Sequence, residues 1–572
     1  MAVIFAALAG LLGGPAGVAQ SASLELMPGV TYQRQVENVR GKQVVVHVVT
    51  GPRPGGLYRL VPVLSSGTVL GRETVTSMQR VLASQATVVG VNGDYSSFED
   101  GHPSGMFMTG GVLDVPPLSF RSSLGISEDG TLRVARVGFY GTWALGDANR
   151  TRLDHFHRAV AKGEVGLFNR AWGPTTPRKP GSLDILVEGI DAALPNVDLA
   201  GTVVSVERGG GTSIPPLGAV IQARGAAAAG LEALAQPGVP LVVRLGLKPW
   251  WDDVAEGIGG GPALVQDGGV ALPTTEGFTA AQLVPSAPRT AVGQLADGRI
   301  VFVVVDGRRQ GSAGMTMRDL AEELDRRGAV TAMSLDGGGS STLALNGQVL
   351  NTPSDGGERP IGDALMLLYF GAYALPPRFA VVSPNGDGVA DQQRLSWKIV
   401  RNSTVTAQLI GPDRQVAWQQ TGELAPGTYR VPASSLATLA EGRWRFAVQG
   451  TDDEGEQSQA SRAFSVNNTL GRLSLSARAL NLSPKRATAS LGIQFQLAHT
   501  AQLHVVVQRA GGAAVRTLYA SSHDPGAVSA SWDGRDGRGV LVGAGTYVVR
   551  VTASNSLGSV GLTGTVAVKR SR

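Results

Sequence analysis

The stretch AMSLDGGGSSTLALNG, residues 332–347, places one carboxylate, three glycines and two serines between two apolar runs. Upstream, RIVFVVVDGRR, residues 299–309, contains another apolar run that ends at Asp-Gly. The segment between them repeats apolar residues at helical spacing, with Thr316 and Asp319 placed as a capping box and Gly328 as a stop. The pattern predicts strand, helix, strand, which is a βαβ unit if the two strands are parallel.

This unit predicts a ligand site at one edge of a sheet. A right-handed crossover would bring the two strand ends together and make Asp306 and Asp336 neighbours. Three successive glycines allow backbone amides to point inward as an anion-binding nest, and Arg308 can clamp the same anion. The alternative for residues 336–341 is a solvent-exposed turn. The following TLALNGQVLN predicts a hairpin with Asn346-Gly347 in a type I′ turn.

Composition bounds the class of protein. The 572 residues allow three or four domains, and 78 glycines with only 5% aromatic residues favour strands joined by tight turns. Lys and Arg exceed Asp and Glu by 5 without a basic block, so nucleic acid is not an expected partner. Cysteine is absent, which excludes disulfides and thiolate chemistry. His155 and His157 lack a third ligand nearby in sequence, so zinc is not expected there.

Domain boundaries follow from changes in pattern along the chain. Residues 1–23 read as a secretory signal peptide, which predicts a secreted or cell-surface protein with no membrane span in the mature chain. Residues 24–374 mix strands with a few helices, and a Pro-Pro pair follows at 376–377. The remainder predicts two β-sandwiches, at 378–468 and 469–572. The expected fold is an α+β catalytic domain, with a mixed sheet and few helices, followed by two all-β Ig-like sandwiches.

Several blocks carry a family resemblance. SAPRTAVGQLADGRIVFVVVDGR, MRDLAEELDRRGAVTAMSLDGGGSSTLALNG, GIGGGPALVQDGGV and ATVVGVNGDYSSFEDGHPSGMFMTGGVL resemble the motif blocks of the phosphodiester glycosidase family. The resemblance covers roughly residues 75–370. It implies hydrolysis of the bond between a sugar anomeric carbon and a phosphodiester, without a required cofactor.

The resemblance and the residue types together give a candidate site. A phosphate leaving group departs as a stabilised anion, so the site needs donors for the phosphate and a carboxylate for the sugar or the attacking water. The candidate catalytic residues are Asp306, Asp336 and Asp94, with the assignment of base or nucleophile left open. The candidate substrate- and phosphate-binding residues are Asn92, Arg289, Arg308, Gly337, Gly338, Gly339, Ser340, Ser341 and Arg359. For Asn92 and Asp94 the alternative is a turn held by side-chain to backbone bonds, and for Arg359 it is a surface role.

The C-terminal part carries two further signals. SPNGDGVAD, residues 383–391, sets Asn385, Asp387 and Asp391 around glycines, which predicts a structural Ca²⁺ site or, alternatively, a plain Asx turn. SWDGRDGRGVLVGAGTYVVRVTAS, residues 531–554, resembles the end of the Ig-like module of the flagellar hook-capping protein family. Such modules serve as spacers or as attachment to a cell surface.

Three functions are therefore compatible with the sequence. The first is a secreted phosphodiester glycosidase acting on microbial wall or capsule glycans. The second is a non-catalytic extracellular glycan-binding or adhesion protein that keeps the fold. The third is a hydrolase of ordinary glycosidic or other phosphodiester bonds. Release of sugar from a sugar-1-phosphodiester distinguishes the first from the others.

Overall fold

The computed structural model describes residues 23–483 and 489–570, so residues 1–22 of the predicted signal segment lie outside the described residues. The chain divides into two compact units between Phe370 and Gly371. Strands dominate both units, and the described residues contain only four α-helices. The mostly β composition agrees with the glycine-rich, aromatic-poor sequence.

The unit that precedes Gly371 contains all four helices and twenty-six strands among the described residues. The helices are α1 (Val75–Leu82), α2 (Ala226–Glu232), α3 (Ala280–Leu283) and α4 (Met317–Arg326). The strands are β1 (Leu24–Met27), β2 (Val30–Val39), β3 (Lys42–Gly51), β4 (Tyr58–Leu64), β5 (Thr87–Asn92), β6 (Phe107–Thr109), β7 (Val112–Val115), β8 (Ser122–Ser127), β9 (Leu132–Arg136), β10 (Gly138–Leu145), β11 (Thr151–Leu153), β12 (His155–Phe156), β13 (Val165–Asn169), β14 (Ser182–Glu188), β15 (Asp198–Arg208), β16 (Gly218–Arg224), β17 (Pro240–Lys248), β18 (Val254–Gly259), β19 (Ala263–Gln266), β20 (Gly269–Val270), β21 (Arg289–Leu295), β22 (Ile300–Val305), β23 (Ala329–Ser334), β24 (Leu343–Leu345), β25 (Gln348–Val349) and β26 (Asp363–Tyr369).

One eight-stranded sheet carries the two Asp-Gly strand ends, in the order β1-β2-β3-β22-β21-β23-β19-β20. The predicted strands and helix are present, and α4 begins at Met317 with Thr316 and Asp319 forming the predicted capping box. The two strands run in the same direction, but the prediction that Asp306 and Asp336 are neighbours is wrong, because β22 and β23 both pair antiparallel with β21, which lies between them. Asp306 and Asp336 therefore follow strands that run in the same direction but are two strand spacings, about 10 Å, apart.

Burial of an apolar helix face holds α4 on this sheet. Leu320 and Leu324 are fully buried in a core that they share with Leu264 of β19 and with valines of β3 and β22. Each such side chain contributes roughly 1.5–3 kcal/mol by leaving water. The packing fixes the crossover that delivers the chain from Asp306 to Asp336.

A five-stranded sheet, β25-β24-β5-β26-β4, contributes the other strand ends that matter for the site. The central strands β5 and β26 pair antiparallel, so that Asn92 lies opposite Ala364. The hairpin β24–β25 turns at Asn346-Gly347, where both residues have positive φ, as a type I′ turn requires. The predicted hairpin is confirmed.

Two further sheets complete this unit. One has eight strands, in the order β11-β10-β17-β15-β14-β16-β13-β12, and includes a parallel pair at β12–β13. The other has five strands, in the order β7-β6-β18-β8-β9. Its strand β8 begins directly after Arg121, and its strand β18 ends at Gly259, so this sheet supplies one side of the candidate site.

The second unit is built from two sandwiches of matching topology. Their strands are β27 (Tyr373–Ala374), β28 (Val381–Val382), β29 (Ser396–Ile399), β30 (Ser403–Ile410), β31 (Val416–Leu424), β32 (Gly427–Arg430), β33 (Gly442–Asp452), β34 (Gln457–Val466), β35 (Leu470–Leu475), β36 (Ala479–Leu482), β37 (Leu491–Leu497), β38 (Ala501–Arg509), β39 (Ala514–His523), β40 (Gly526–Trp532), β41 (Gly545–Asn555) and β42 (Gly558–Arg570). Each sandwich pairs a three-stranded with a five-stranded sheet: β27-β29-β32 with β28-β34-β33-β30-β31, and β35-β37-β40 with β36-β42-β41-β38-β39.

The two sandwiches share the same core packing and the same side-chain hydrogen bond. Trp397 and Trp532 are fully buried at the centres of the two cores. The Nε1 atom of Trp444 donates to a carbonyl four residues earlier, and the hydroxyl of Tyr547 does the same at the matching position. The two predicted all-β sandwiches are confirmed. The first of them begins with β27, which pairs with β29.

Candidate active site

Three carboxylates from separate strand ends define the candidate active site. Asp94 follows β5, Asp336 follows β23, and Asp363 opens β26. Asp363 Oδ1 accepts a hydrogen bond from the Asp94 amide at 2.7 Å, and the Asp336 amide donates to the Gly93 carbonyl at 3.0 Å. The predicted candidates Asp94 and Asp336 are therefore brought together, with Asp363 as a third member.

Asn92 holds these strand ends in place. Its side-chain amide donates to the Asp336 carbonyl at 2.7 Å, and its Oδ1 accepts from the Thr290 hydroxyl and the Thr342 amide. The side chain is fully buried. All these bonds stay within the protein, so the contacts of Asn92 favour the positioning role over the predicted contact with substrate.

Glycines make room for the carboxylate of Asp94. A Cβ on Gly259 would collide with Asp94 Oδ2, and one on Gly105 would come within 2.9 Å of the same atom. The Gly105 amide donates to that oxygen at 2.6 Å. The other oxygen, Oδ1, is buried without a hydrogen-bond partner among the described residues. An unpartnered oxygen in this position favours a protonated carboxyl or a bound ligand.

The electrostatic environment raises the pKa values of all three carboxyls. Burial raises the pKa of Asp94 to about 7, against the opposing effect of its amide hydrogen bonds and of Arg121. Burial and the charge of Asp94 raise the pKa of Asp363 well above its ordinary value. Burial also raises the pKa of Asp336, although Ser340, the Gly337 amide and two arginines oppose it. Neighbouring carboxyls with displaced pKa values can supply an acid and a base at neutral pH.

Among the three residues, Asp336 is the least enclosed. Asp94 is 2% exposed and Asp363 is fully buried, whereas Asp336 is half-buried. A substrate approaching from solvent therefore meets Asp336 first. This geometry suits Asp336 for direct attack or for activation of water, with Asp94 as the proton-holding group behind it.

Asp306 occupies a different environment from the cluster. Its carboxylate accepts from the Thr352 amide at 2.9 Å and from Asn351 Nδ2 at 3.3 Å, and His47 Nε2 lies 3.3 Å from its Oδ2. Burial alone would raise the pKa of Asp306, but His47 and these hydrogen bonds outweigh it and lower the pKa. The side chain is 2% exposed. Its contacts favour a positioning role over the predicted catalytic one.

The glycine loop after Asp336 is tightly folded. Residues 338–340 form one 3-10 turn, and Gly338 has φ of 64°. The amides of Gly337, Gly338, Ser340 and Ser341 all have acceptors within the protein. These bonds argue against the predicted nest of free amides. The amide of Gly337 instead supports the carboxylate of Asp336, and the Ser341 hydroxyl is buried without a partner among the described residues.

The three predicted arginines differ in their contacts. Arg289 is buried, and each of its three side-chain nitrogens donates to a backbone carbonyl, which favours a structural role. Arg308 is exposed, with a guanidinium nitrogen 3.3 Å from the position of a Cβ on Gly338. Arg359 lies beside the next glycine of the loop, pairs with Asp355 at 2.6 Å and covers the ring of Phe98 at 5.5 Å. Arg308 and Arg359 thus flank the loop from outside.

A fourth arginine, Arg121, comes from a separate segment, directly before β8. Its guanidinium carbon is 4.6 Å from the ring centre of Phe278, 5.1 Å from Tyr95 and 5.9 Å from Phe120. The charge of Arg121 acts to lower the pKa values of both Asp94 and Asp336. The site therefore combines a carboxylate cluster, one aromatic-bound arginine and an arginine-flanked glycine loop.

Sequence reasoning missed Asp363 and Arg121. Asp363 had a usable signal, because RPIGDAL places it directly beside an apolar run, although it precedes its run whereas Asp306 and Asp336 follow theirs. Arg121 had a weaker signal, since Phe120-Arg121 precedes a strand without any glycine-rich turn. Only the fold brings it to Tyr95 and Phe278.

The predicted calcium loop forms a set of Asx turns. Asp391 accepts the amides of Gly386 and Gly388 at 2.8 Å, Asn385 accepts the Asp387 amide, and Asp387 accepts the Val389 amide. No group of three or more His, Cys, Asp or Glu residues suited to a metal occurs in residues 23–483 or 489–570. Ca²⁺ would bind here through side-chain oxygens of Asn385, Asp387 and Asp391. The calcium site stays a prediction.

Comparison with known families covers part of this site. Residues 195–368 match the family model of phosphodiester glycosidases, and residues 480–556 match the FlgD Ig-like domain. The first match spans β15 to β26 and includes Asp306, Asp336 and Asp363. The chain therefore contains a region homologous to phosphodiester glycosidases and an Ig-like domain of the predicted kind.

Individual relatives extend the comparison. The chain is 42% identical over 96 residues to a prophage-derived uncharacterized protein, YomE, of Bacillus subtilis, covering 17% of this chain and 15% of that protein. It is 43% identical over 67 residues to N-acetylglucosamine-1-phosphodiester alpha-N-acetylglucosaminidase of Bos taurus, covering 12% of each. The chain thus spans well under a fifth of the length of these relatives. A hypothetical protein from Synechocystis shares the fold, with TM-score 0.53, 23% identity and coverage of 62% of this chain and 64% of that one.

Proposed function

We propose that the unit preceding Gly371 is a glycosidase that hydrolyses the bond between a sugar anomeric carbon and a phosphodiester. The observation that carries the proposal is the convergence of Asp94, Asp336 and Asp363 within the electrostatic reach of Arg121 and of an arginine of the glycine loop. Carboxyls that hold protons near neutral pH, placed beside guanidinium groups, match the needs of a reaction that attacks an anomeric carbon and releases a phosphate anion.

The roles of the residues follow from exposure and charge. Asp336, the least enclosed of the three, attacks the anomeric carbon or activates the attacking water. Asp94, with a pKa of about 7, can give a proton near neutral pH, and its backbone amide positions the carboxyl of Asp363. The arginines stabilise the phosphate as the bond to the sugar breaks. A phosphate monoester and a free sugar are the products.

The proposal extends to the location of the protein and to the kind of glycan it acts on. The residue pattern of segment 1–23 supports secretion, and the Ig-like module supports an extracellular setting with attachment to a cell surface. Microbial wall or capsule glycans are then the substrates within reach. None of the helices among the described residues combines the length and apolarity that a membrane crossing needs.

Product analysis tests this function. Purified protein is incubated with a panel of sugar-1-phosphodiesters, with aryl glycosides and bis-aryl phosphodiesters as comparison substrates, and the free sugar and phosphate monoester are measured. The expected result is release of sugar from the sugar-1-phosphodiesters alone, lost in Asp336→Asn. Absence of release from every sugar-1-phosphodiester would favour the glycan-binding alternative. Release from the comparison substrates instead would favour an ordinary glycosidase or phosphodiesterase.

A further inference from the structure

We infer that Arg121 is the principal phosphate-binding side chain of the site, held ready by a cage of aromatic rings. The inference rests on the proposed function and names a residue outside the motifs that suggested it. It departs from the sequence prediction, which assigned the phosphate to Arg289, Arg308, Arg359 and the glycine loop.

The first observation is how Arg121 is held. Its guanidinium lies within 6 Å of the ring centres of Phe278, Tyr95 and Phe120. Arginine stacked on ring faces is stabilised by cation–π attraction while the edges of its planar group stay available for hydrogen bonds. The rings therefore fix the guanidinium without consuming its donors.

The second observation is what Arg121 lacks. Among the described residues, no carboxylate or carbonyl accepts a hydrogen bond from its side chain, and its Nε is buried without a partner. Arg289, by contrast, uses all three side-chain nitrogens on backbone carbonyls, and Arg359 is paired with Asp355. A half-buried guanidinium with unused donors is costly unless an anion completes it.

The third observation is the position of Arg121 relative to the reacting groups. Tyr95, one of its ring partners, directly follows Asp94, and the Tyr95 hydroxyl lies 3.4 Å from the Gly261 carbonyl. The Gly261 amide in turn donates to Ser334, the last residue of β23 before the Asp336 loop. Arg121 is thus tied through one ring to the strand ends that carry both carboxylates.

This position identifies which anion the site takes. In a sugar-1-phosphodiester, the phosphate is attached directly to the anomeric carbon, so a group beside Asp336 and Asp94 meets the scissile phosphate. The carboxylate of a hexuronic acid is attached to C5, across the ring oxygen from that carbon, and is not part of the bond that breaks. The observations therefore favour the phosphate of the scissile bond over a uronic acid group.

Direct binding measurements test the inference on the full chain. Inorganic phosphate, glucose 1-phosphate and glucuronate are titrated into the wild type, Arg121→Gln and Arg121→Lys by calorimetry. Arg133→Gln is the matched control, because Arg133 is an exposed arginine one strand away that pairs with Asp253. We expect Arg121→Gln to weaken phosphate binding at least about 10-fold, as loss of hydrogen bonds to a charged group does. The phosphate affinity of Arg121→Lys should lie between those of the wild type and Arg121→Gln, and the control should bind phosphate like the wild type.

A second variant covers the case in which Arg121→Gln fails to fold. Phe278→Leu keeps the arginine and removes one ring of the cage, and we expect phosphate binding to weaken about 3-fold, in line with the modest strength of one exposed cation–π contact. Melting curves establish folding for each variant.

The outcomes separate this inference from the proposed function. Unchanged phosphate binding in Arg121→Gln, no phosphate binding by the wild type, or loss of glucuronate binding alone would overturn the role of Arg121. If Arg121→Gln hydrolyses sugar-1-phosphodiesters at the wild-type rate, the role of Arg121 is overturned as well, and the proposed function stands. Arg121-dependent phosphate binding without any hydrolysis by the wild type would support the site and refute the function.

Discussion

Asp306 and Asp336 end two strands of one sheet with the same Asp-Gly sequence, yet the fold places them in opposite environments. Asp306 is enclosed by donors from β3 and from the segment after β25, and its pKa lies below its ordinary value. Asp336 adjoins two other carboxyls, and its pKa is raised. A carboxylate surrounded by hydrogen-bond donors stabilises the fold. A carboxyl beside other carboxyls is costly to ionise, and its raised pKa suits it to catalysis.

The largest expected effect concerns Asp336. Asp336→Asn should lower kcat on a sugar-1-phosphodiester by a factor of at least ~100, as loss of a proton-transfer group or nucleophile does. The melting temperature should be unchanged or higher, because the substitution removes a charge from a cluster that disfavours it. Steady-state kinetics and a melting curve on the same preparation check both. A near-normal rate would remove Asp336 from the chemistry.

Asp306→Asn should reverse this pattern. Replacing the carboxylate removes a buried, charged acceptor and should cost about 1.5–3 kcal/mol of unfolding free energy at pH 7. Because the pKa of Asp306 is lowered on folding, its contribution is present above the unfolded pKa of about 3.9 and is lost as the pH falls through the folded pKa. The stability difference between wild type and variant, measured by urea unfolding, should therefore shrink towards pH 3. If Asp306→Asn keeps its unfolding free energy but loses its hydrolysis rate, Asp306 is a catalytic residue.

The pH dependence of the rate tests Asp94. The pKa of about 7 means that Asp94 loses its proton as the pH rises through neutrality, so a reaction that uses this proton should slow above pH 7. Asp94→Asn should be slower than wild type and should lack that alkaline limb. A pH–rate profile from pH 5 to 9 is the measurement, with Asp129→Asn on the exposed surface as the control. Persistence of the limb in Asp94→Asn would assign it to another group.

A smaller effect is expected at the glycine loop that supports Asp336. Gly338→Ala forces an alanine to φ of 64° and should cost about 1–2 kcal/mol. Gly357→Ala is the control, because a Cβ there meets open space and its φ is not in the left-handed region. Urea unfolding should separate the two variants. Equal stability would mean that the loop adjusts without strain.

The smallest effect is expected from removing residues 371–572. The unit boundary at Phe370 and the separate cores of the two sandwiches predict that a chain ending there keeps kcat within about 2-fold. Retention on insoluble wall material should fall if the sandwiches bind it. Loss of soluble, folded protein would show instead that the catalytic unit depends on the sandwiches.

Local pattern was sufficient for several elements of the site. The capping box and stop of α4, the Asn-Gly hairpin and the buried strands before Asp306 and Asp336 depend on neighbours in sequence, so the residues themselves specify them. The two sandwiches also follow from short alternating strands and turn residues. Local pattern did not specify which strands pair. β21 precedes β22 in the chain, yet it lies between β22 and β23 because it forms hydrogen bonds with both.

The sequence by itself determined that this chain is β-rich, that two Asp-Gly turns end buried strands and that its motif blocks resemble those of phosphodiester glycosidases. Tertiary structure decided which carboxyls meet, because Asp94 and Asp363 lie more than 260 residues apart and are joined by an amide hydrogen bond across β5 and β26. It also decided the charge state of each carboxyl, since pKa values depend on burial and on neighbours from distant segments. His47 and Thr352 make Asp306 a structural anion, and no property of its own strand could have separated it from Asp336.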